Sequence, residues 1–108
     1  MNGIEFVCFE IITNVGSARS SYIEAIQNAK TKDFEAAKEC MQQGKAFFLE
    51  GHRAHSKLIQ QEASGEKAEF SLLLIHAEDQ LMSAEGFEIL AKEFIDVYQE
   101  MAVIKAMQ

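Results

Sequence analysis

The sequence predicts an all-α protein, an antiparallel up-down-up bundle of three long helices. Three observations lead to this prediction. The 108 residues include no proline, and residues that favour helix, such as alanine, glutamate, lysine and leucine, dominate. Apolar residues recur at alternating spacings of three and four along most of the chain. Only two short breaks, at residues 31–33 and 64–67, interrupt this periodicity, and short connections join antiparallel neighbours.

The first helix is predicted over about residues 3–30. Its apolar stripe consists of Ile4, Cys8, Ile11, Val15, Ala18, Tyr22, Ala25 and Ala29. Gly16 and Ser17 lie inside this helix. Two interpretations are open: a tolerated weak position that costs about 1 kcal/mol, or a kink or close helix crossing.

The second helix is predicted over about residues 34–62, and either Thr31 or Asp33 in the preceding turn can cap it. Its apolar stripe consists of Phe34, Ala37, Met41, Gly44, Phe48, Gly51, His55 and Leu58. Because Gly44 and Gly51 fall on this stripe, we expect close packing there rather than flexibility.

The third helix is predicted over about residues 69–106, after a break at which Gly65 can end the second helix. At about 100° per residue it carries two apolar bands. The first band is Phe70, Leu73, Ala77, Leu81, Ala84, Ala91, Ile95 and Tyr98; the second is Leu72, Ile75, Met82, Gly86, Ile89, Leu90 and Val97. A three-helix bundle needs one band for its own core. We therefore expect the second band to bury against the same helix in other subunits.

Polar residues interrupt the apolar sequence of the third helix. Asp79 falls inside the second band, where carboxylates meeting on a symmetry axis would repel one another. A divalent cation such as Mg²⁺ would resolve the repulsion; the alternative is an Asp79 exposed to solvent at the end of the bundle. His76 lies between the bands, close to Asp79 and Gln80. It is either a packed, hydrogen-bonded residue or a neutral imidazole that acts as a nucleophile or phosphoryl acceptor.

The other two histidines lie in the stretch GHRAHS, residues 51–56. The spacing of His52 and His55 suits two metal ligands on one helix, but no cysteine or third ligand accompanies them. Because His55 falls on the buried stripe, a hydrogen-bonded core histidine is the favoured interpretation. Cys8 and Cys40 are predicted to be buried, reduced residues of a cytosolic protein rather than a disulfide or a nucleophile.

Composition excludes several function classes. The net charge is −7, with 17 acidic against 10 basic residues, so we expect neither nucleic acid nor anionic lipid as a partner.

The N-terminal sequence MNGIEFVCFEII has no basic region and no cleavage site, so no signal peptide is expected. No apolar run approaches about 18 residues, the length of a membrane span. Residues 1–108 are therefore predicted to form one cytoplasmic domain.

Three stretches together identify a family. They are FEIITNVGSARS (9–20), KDFEAAKECM (32–41) and QQEASGEKAEFSLLLIHAEDQLMSAE (60–85). At these separations the chain resembles, over nearly its whole length, the enzyme IIA component of the lactose/cellobiose class of the sugar phosphotransferase system. The resemblance implies a cytoplasmic homotrimer of three-helix subunits. It further implies that His76 is phosphorylated and that Asp79 lies near the threefold axis, holding one Mg²⁺ per trimer.

The resemblance also implies the partners. The phosphoryl group would come from phosphohistidine on HPr and leave to a cysteine of enzyme IIB. It would then reach a β-linked disaccharide, of the cellobiose, chitobiose or lactose type, that enters through the membrane component enzyme IIC. His52 matches the family pattern as a supporting residue, and Gln80 could donate a hydrogen bond to the phosphoryl group.

The chain departs from the family pattern close to this site. Glu78 replaces a neutral amide, Gln80 replaces a second histidine, and His55 stands where glutamine is usual. Glu85 and Gly86 replace apolar residues. Because these changes lie close to His76, they can alter which HPr and which enzyme IIB exchange the phosphoryl group with this chain.

Two other function classes are open. One is a catalytically silent homotrimeric interaction module, in which His76 and Asp79 are polar spacers that set the register of the trimer. The other is a two-component histidine-phosphotransfer domain. It would need a four-helix bundle and a basic, glycine-bearing sequence after the histidine, and AEDQLM at residues 77–82 argues against it.

Overall fold

The computed structural model describes residues 3–108, which fold into three helices. Helix α1 spans Gly3–Lys30, α2 spans Phe34–Ala63 and α3 spans Leu72–Met107. The bundle measures 62 × 20 × 20 Å, and α1 makes most of the contacts to the other two helices. No strand occurs in this part of the chain, as the sequence predicts. Met1 and Asn2, which belong to the predicted domain, lie outside the described residues.

Contacts between the helices establish the direction of each one. Near the middle of the bundle, Lys45 of α2 lies 3.4 Å from Glu88 of α3. Ten residues further along α2, His55 lies 2.7 Å from Glu78, which is ten residues earlier in α3. Helices α2 and α3 are therefore antiparallel. Since a short turn reverses the chain between α1 and α2, the predicted up-down-up order is confirmed.

Side-chain caps decide where two of the helices begin. Of the two caps that the sequence left open for α2, Asp33 is used: its Oδ1 accepts a hydrogen bond from the backbone N–H of Ala36 at 3.1 Å. Helix α3 begins at Leu72, three residues later than predicted. The reason is Ser71, whose Oγ accepts from the backbone N–H of Leu74 at 3.1 Å and fixes the first turn there.

The core consists of the predicted stripes, with one correction. All stripe residues of α1 from Cys8 to Ala29 are buried. Helix α3 contributes mainly small side chains at seven-residue intervals, namely Ala77, Ala84 and Ala91, each fully buried. Phe70, which the sequence assigned to the first band, is instead 91 % exposed, because it precedes the helix that would have turned it inward.

Two glycines let α1 and α2 approach closely, as predicted. A Cβ atom on Gly44 would lie 2.5 Å from Cε1 of Tyr22, and one on Gly51 would lie 2.6 Å from Cγ1 of Val15. Gly16 is different, since nothing lies within 4 Å of a Cβ built there and α1 continues unbroken through it. Of the two interpretations, the structure favours a tolerated weak position over a close crossing within the chain.

The surface of α3 that faces away from α1 and α2 is strongly apolar. We call it the outer face of α3; it comprises Leu72, Ile75, Asp79, Met82, Gly86, Ile89, Leu90 and Val97. Its large apolar side chains are about half exposed or more, with Met82 at 70 %. The second apolar band of α3 is therefore not covered by any other part of residues 3–108. None of the helices in residues 3–108 is long and apolar enough to span a membrane.

Candidate functional site

His76 lies on the second turn of α3 and is exposed to solvent. It borders a shallow apolar hollow that it shares with Leu72 and Leu73. Within residues 3–108 no side chain hydrogen-bonds its imidazole ring. The ring is therefore open to a macromolecular partner, while the helix beneath it is held by the Ser71 cap.

Asp79 and Gln80 follow His76 on the next turn. Asp79 is exposed on the outer face of α3, between apolar residues, and forms no ion pair with another described residue. Gln80 is half-buried beside His76. Nowhere in residues 3–108 do three or more His, Cys, Asp or Glu side chains gather into a group that could hold a metal ion.

The two histidines of α2 have different surroundings. His52 is exposed, and its ring lies against Phe48 of the same helix, with centroids 6.2 Å apart. His55 faces α3, and its side chain is only 16 % exposed. The structure thus brings His55, rather than His52, into contact with the helix that carries His76.

The partner of His55 is Glu78. Nε2 of His55 lies 2.7 Å from Oε1 of Glu78, a hydrogen bond that joins α2 to α3. Glu78 is two residues from His76 but on the other side of α3, since two residues turn a helix by about 200°. The negative charge that the sequence adds next to His76 therefore has a partner on α2. Glu78 and His55, which both depart from the family pattern, therefore interact with each other.

Neither cysteine has the surroundings of a nucleophile. Cys8 is fully buried, Cys40 is 8 % exposed, and both are free thiols. Burial raises the pKa of both thiols, and the carboxylates of Glu78 and Glu5 raise that of Cys8 further. Both groups therefore stay protonated and unreactive near neutral pH. The prediction of buried, reduced cysteines is confirmed.

A polar network that the sequence did not reveal braces the middle of the bundle. Tyr22 of α1 donates from its hydroxyl to Glu88 of α3 at 2.8 Å, and Lys45 and Lys92 lie 3.4 and 3.7 Å from the same carboxylate. Burial alone would raise the pKa of Glu88. The hydrogen bond from Tyr22 and the two lysine charges outweigh burial and lower that pKa below its usual range. The network ties all three helices together.

Comparisons with known proteins identify the same family that the sequence motifs resemble. The family model for the lactose/cellobiose-specific IIA subunit of the phosphotransferase system matches residues 6–99. The lichenan-specific phosphotransferase enzyme IIA component of Bacillus subtilis is 40 % identical over 98 residues, which cover 91 % of this chain and 89 % of that protein.

Solved structures agree as well. The cellobiose-specific enzyme IIA of Bacillus anthracis superposes with a TM-score of 0.93 at 45 % identity, covering 95 % of this chain and 94 % of that one. The chitobiose IIA of Escherichia coli, solved in complex with HPr, gives a TM-score of 0.81 at 34 % identity, covering 94 % and 99 %. With most of its length matched in sequence and in fold, the chain belongs to the lactose/cellobiose-specific IIA family of the phosphotransferase system.

Proposed function

We propose that this chain is a cytoplasmic phosphocarrier for sugar uptake. It accepts a phosphoryl group on His76 from phosphohistidine of HPr and passes it to a cysteine of enzyme IIB. The sugar, a β-linked disaccharide, enters through enzyme IIC. The observation that carries the proposal is the exposed imidazole of His76 beside an apolar hollow, in a chain of this family. HPr is proposed as the donor because the structure of a relative, the chitobiose IIA, is a complex with HPr.

In the transfer, a neutral His76 attacks the phosphorus atom in line, with Nε2 as the acceptor atom. A P–N bond to His76 forms as the P–N bond to the histidine of HPr breaks. The ring of His76 gives up its Nδ1 proton to solvent, and the leaving imidazole of HPr takes up a proton from solvent. In the second transfer, a thiolate of enzyme IIB attacks the phosphorus: an S–P bond forms, the P–N bond to His76 breaks, and the imidazole of His76 takes up a proton. Chemistry of this kind needs positioning and charge compensation more than covalent assistance. The exposed ring of His76 on a capped helix provides the positioning. The amide of Gln80 can donate a hydrogen bond toward the phosphoryl oxygens, which helps to compensate their charge.

We propose further that the chain works as a homotrimer with the outer face of α3 at its centre. Three copies would cover the exposed apolar residues and bring three Asp79 carboxylates together. Carboxylate oxygens suit Mg²⁺, which retains several waters, so one ion per trimer fits this donor set and would neutralise the mutual repulsion. Asp79→Ala should lose the cation, measured by metal analysis of the purified trimer. A trimer that carries the same metal without Asp79 would contradict this assignment.

The phosphocarrier proposal is tested by intact mass after incubation with phosphoenolpyruvate, enzyme I and HPr. We expect a gain of one acid-labile phosphoryl group in the wild type and none in His76→Ala, whose helical content and assembly should be unchanged by circular dichroism and sedimentation. Phosphorylation that persists in His76→Ala would overturn the choice of residue. No gain in the wild type would favour the silent interaction module instead.

A further inference from the structure

Arg19 is a half-buried cation without an acidic partner. Its guanidinium approaches only the hydroxyl of Ser83 in α3, at a long 3.4 Å from Nη1. Within residues 3–108 no carboxylate lies in ion-pair distance of it, although the chain carries 17 acidic residues. A guanidinium has five N–H donors in a rigid fork that suits a carboxylate. Most of the binding capacity of Arg19 is therefore unused in the single chain.

Arg19 lies at one border of the outer face of α3. Ser83 is seven residues after His76, so the two occupy nearly the same side of α3, next to the apolar band. The hydrogen bond to Ser83 therefore holds the guanidinium at the border that also carries His76.

The opposite border of the outer face carries an unpaired anion. Glu85 is exposed, and no described residue forms an ion pair with it. It comes two positions after Ser83, which corresponds to about 200° around the helix and only about 3 Å along it. The outer face of α3 is thus flanked by Arg19 on one side and Glu85 on the other, at nearly the same height.

We propose that Arg19 of each subunit pairs with Glu85 of the next copy of the chain around the trimer. This inference rests on the proposed homotrimer. In a closed ring of parallel subunits, one border of each α3 meets the opposite border of its neighbour, always at the same height. The unpaired cation and the unpaired anion then meet at every interface. An antiparallel pair would bring equivalent borders together, with Arg19 facing Arg19 and Glu85 facing Glu85, so the ion pair specifies the parallel ring.

The pairing also has a consequence for the phosphoryl acceptor. Because Arg19 lies at the border that carries His76, the ion pair closes the interface about two turns of α3 from that residue. His76 would then lie in the crevice between two subunits, and a partner protein that binds there would contact residues of both subunits.

Charge reversal tests the pair. Arg19→Glu places two carboxylates at each interface, and Glu85→Arg places two guanidinium groups there. Each single variant should raise the concentration at which half of the trimer dissociates by at least about tenfold. The double variant R19E/E85R restores opposite charges and should return to within about threefold of the wild type. Sedimentation equilibrium measures all four proteins.

A matched control changes the charge elsewhere. Lys38→Glu alters the net charge as Arg19→Glu does, on an exposed position of α2, and should leave assembly unchanged. The neutral variants Arg19→Gln and Glu85→Gln, which test the pair if a reversed charge prevents folding, should weaken assembly less and non-additively. Singles that assemble like the wild type, or a double variant without recovery, would overturn the pair. A monomeric wild type would overturn it together with the trimer, whereas phosphorylation of His76 is read independently by mass.

Discussion

The contact between Gly44 and Tyr22 yields a sharp prediction for stability. Replacing Gly44 by alanine adds one methyl group, whose carbon would lie 2.5 Å from Cε1 and 2.8 Å from Cδ1 of the Tyr22 ring. The ring cannot simply move away, because Tyr22 is fully buried and its hydroxyl is bonded to Glu88 at 2.8 Å.

The magnitude follows from three contributions. Better helix propensity of alanine should stabilise α2 by about 1 kcal/mol. Overpacking against a buried ring costs about 1–3 kcal/mol. Displacing the Tyr22 hydroxyl weakens a hydrogen bond to a charged acceptor, which contributes about 1.5–3 kcal/mol. We therefore expect Gly44→Ala to lower the free energy of unfolding by about 1.5–5 kcal/mol, because the two losses outweigh the gain.

Urea unfolding at one fixed protein concentration measures the effect, since assembly makes stability depend on concentration. Near-UV circular dichroism offers a second readout, because the chain has two tyrosines and no tryptophan. Gly16→Ala is the control: nothing lies within 4 Å of its Cβ, so the same chemical change should stabilise by about 1 kcal/mol. If Gly44→Ala stabilises the protein as Gly16→Ala should, the reasoning is refuted.

Three further predictions concern other contacts. Glu88→Gln should lower stability by about 1 kcal/mol at neutral pH; because folding lowers the pKa of Glu88, the advantage of the wild type should be full above about pH 4.3 and shrink as the pH falls below it. Urea titrations at several pH values check this, and an advantage that grows in acid would contradict it. Cys8 and Cys40 should react with a thiol reagent more than about a hundredfold more slowly in the native than in the urea-unfolded protein; equal rates would disprove their burial. His55→Gln and Glu78→Gln should each cost about 0.5–1 kcal/mol, since the pair is partly exposed, and the double variant should cost less than their sum. Strict additivity in unfolding experiments would show that the two side chains do not interact.

Much of the fold was predictable because helical periodicity reports burial directly. The stripe of α1, the two bands of α3 and the close packing at Gly44 and Gly51 all appear in the structure. Phe70 shows where periodicity fails. It continues the spacing of the first band, but the Ser71 cap starts the helix after it, so the pattern extends further than the helix does.

The contacts between helices were not predictable. A period of 3.6 residues tells which face of a helix is buried, but not which side chain lies opposite. The pair of His55 and Glu78 is 23 residues apart in sequence, and that of Tyr22 and Glu88 is 66 apart. Both depend on the relative height and rotation of packed helices. The role of His76 was identified from its sequence neighbourhood and the family resemblance, and it stays a prediction until the phosphorylated residue is mapped.

The buried alanines of α3 affect how subunits would exchange. Ala77, Ala84 and Ala91 add little apolar area to the contact of α3 with its own chain, which also uses larger side chains such as Leu81 and Phe87. Other bulky residues, such as Met82 and Leu90, face outward. Hydrophobic stabilisation scales with the apolar area removed from water, so covering the outer face of α3 in the proposed trimer would add to the stability of each subunit. Dilution, which dissociates the trimer, should then lower the stability of the folded subunit. A dissociated subunit would expose the outer face of α3 to water, and two labelled populations should therefore exchange subunits more slowly than diffusion allows.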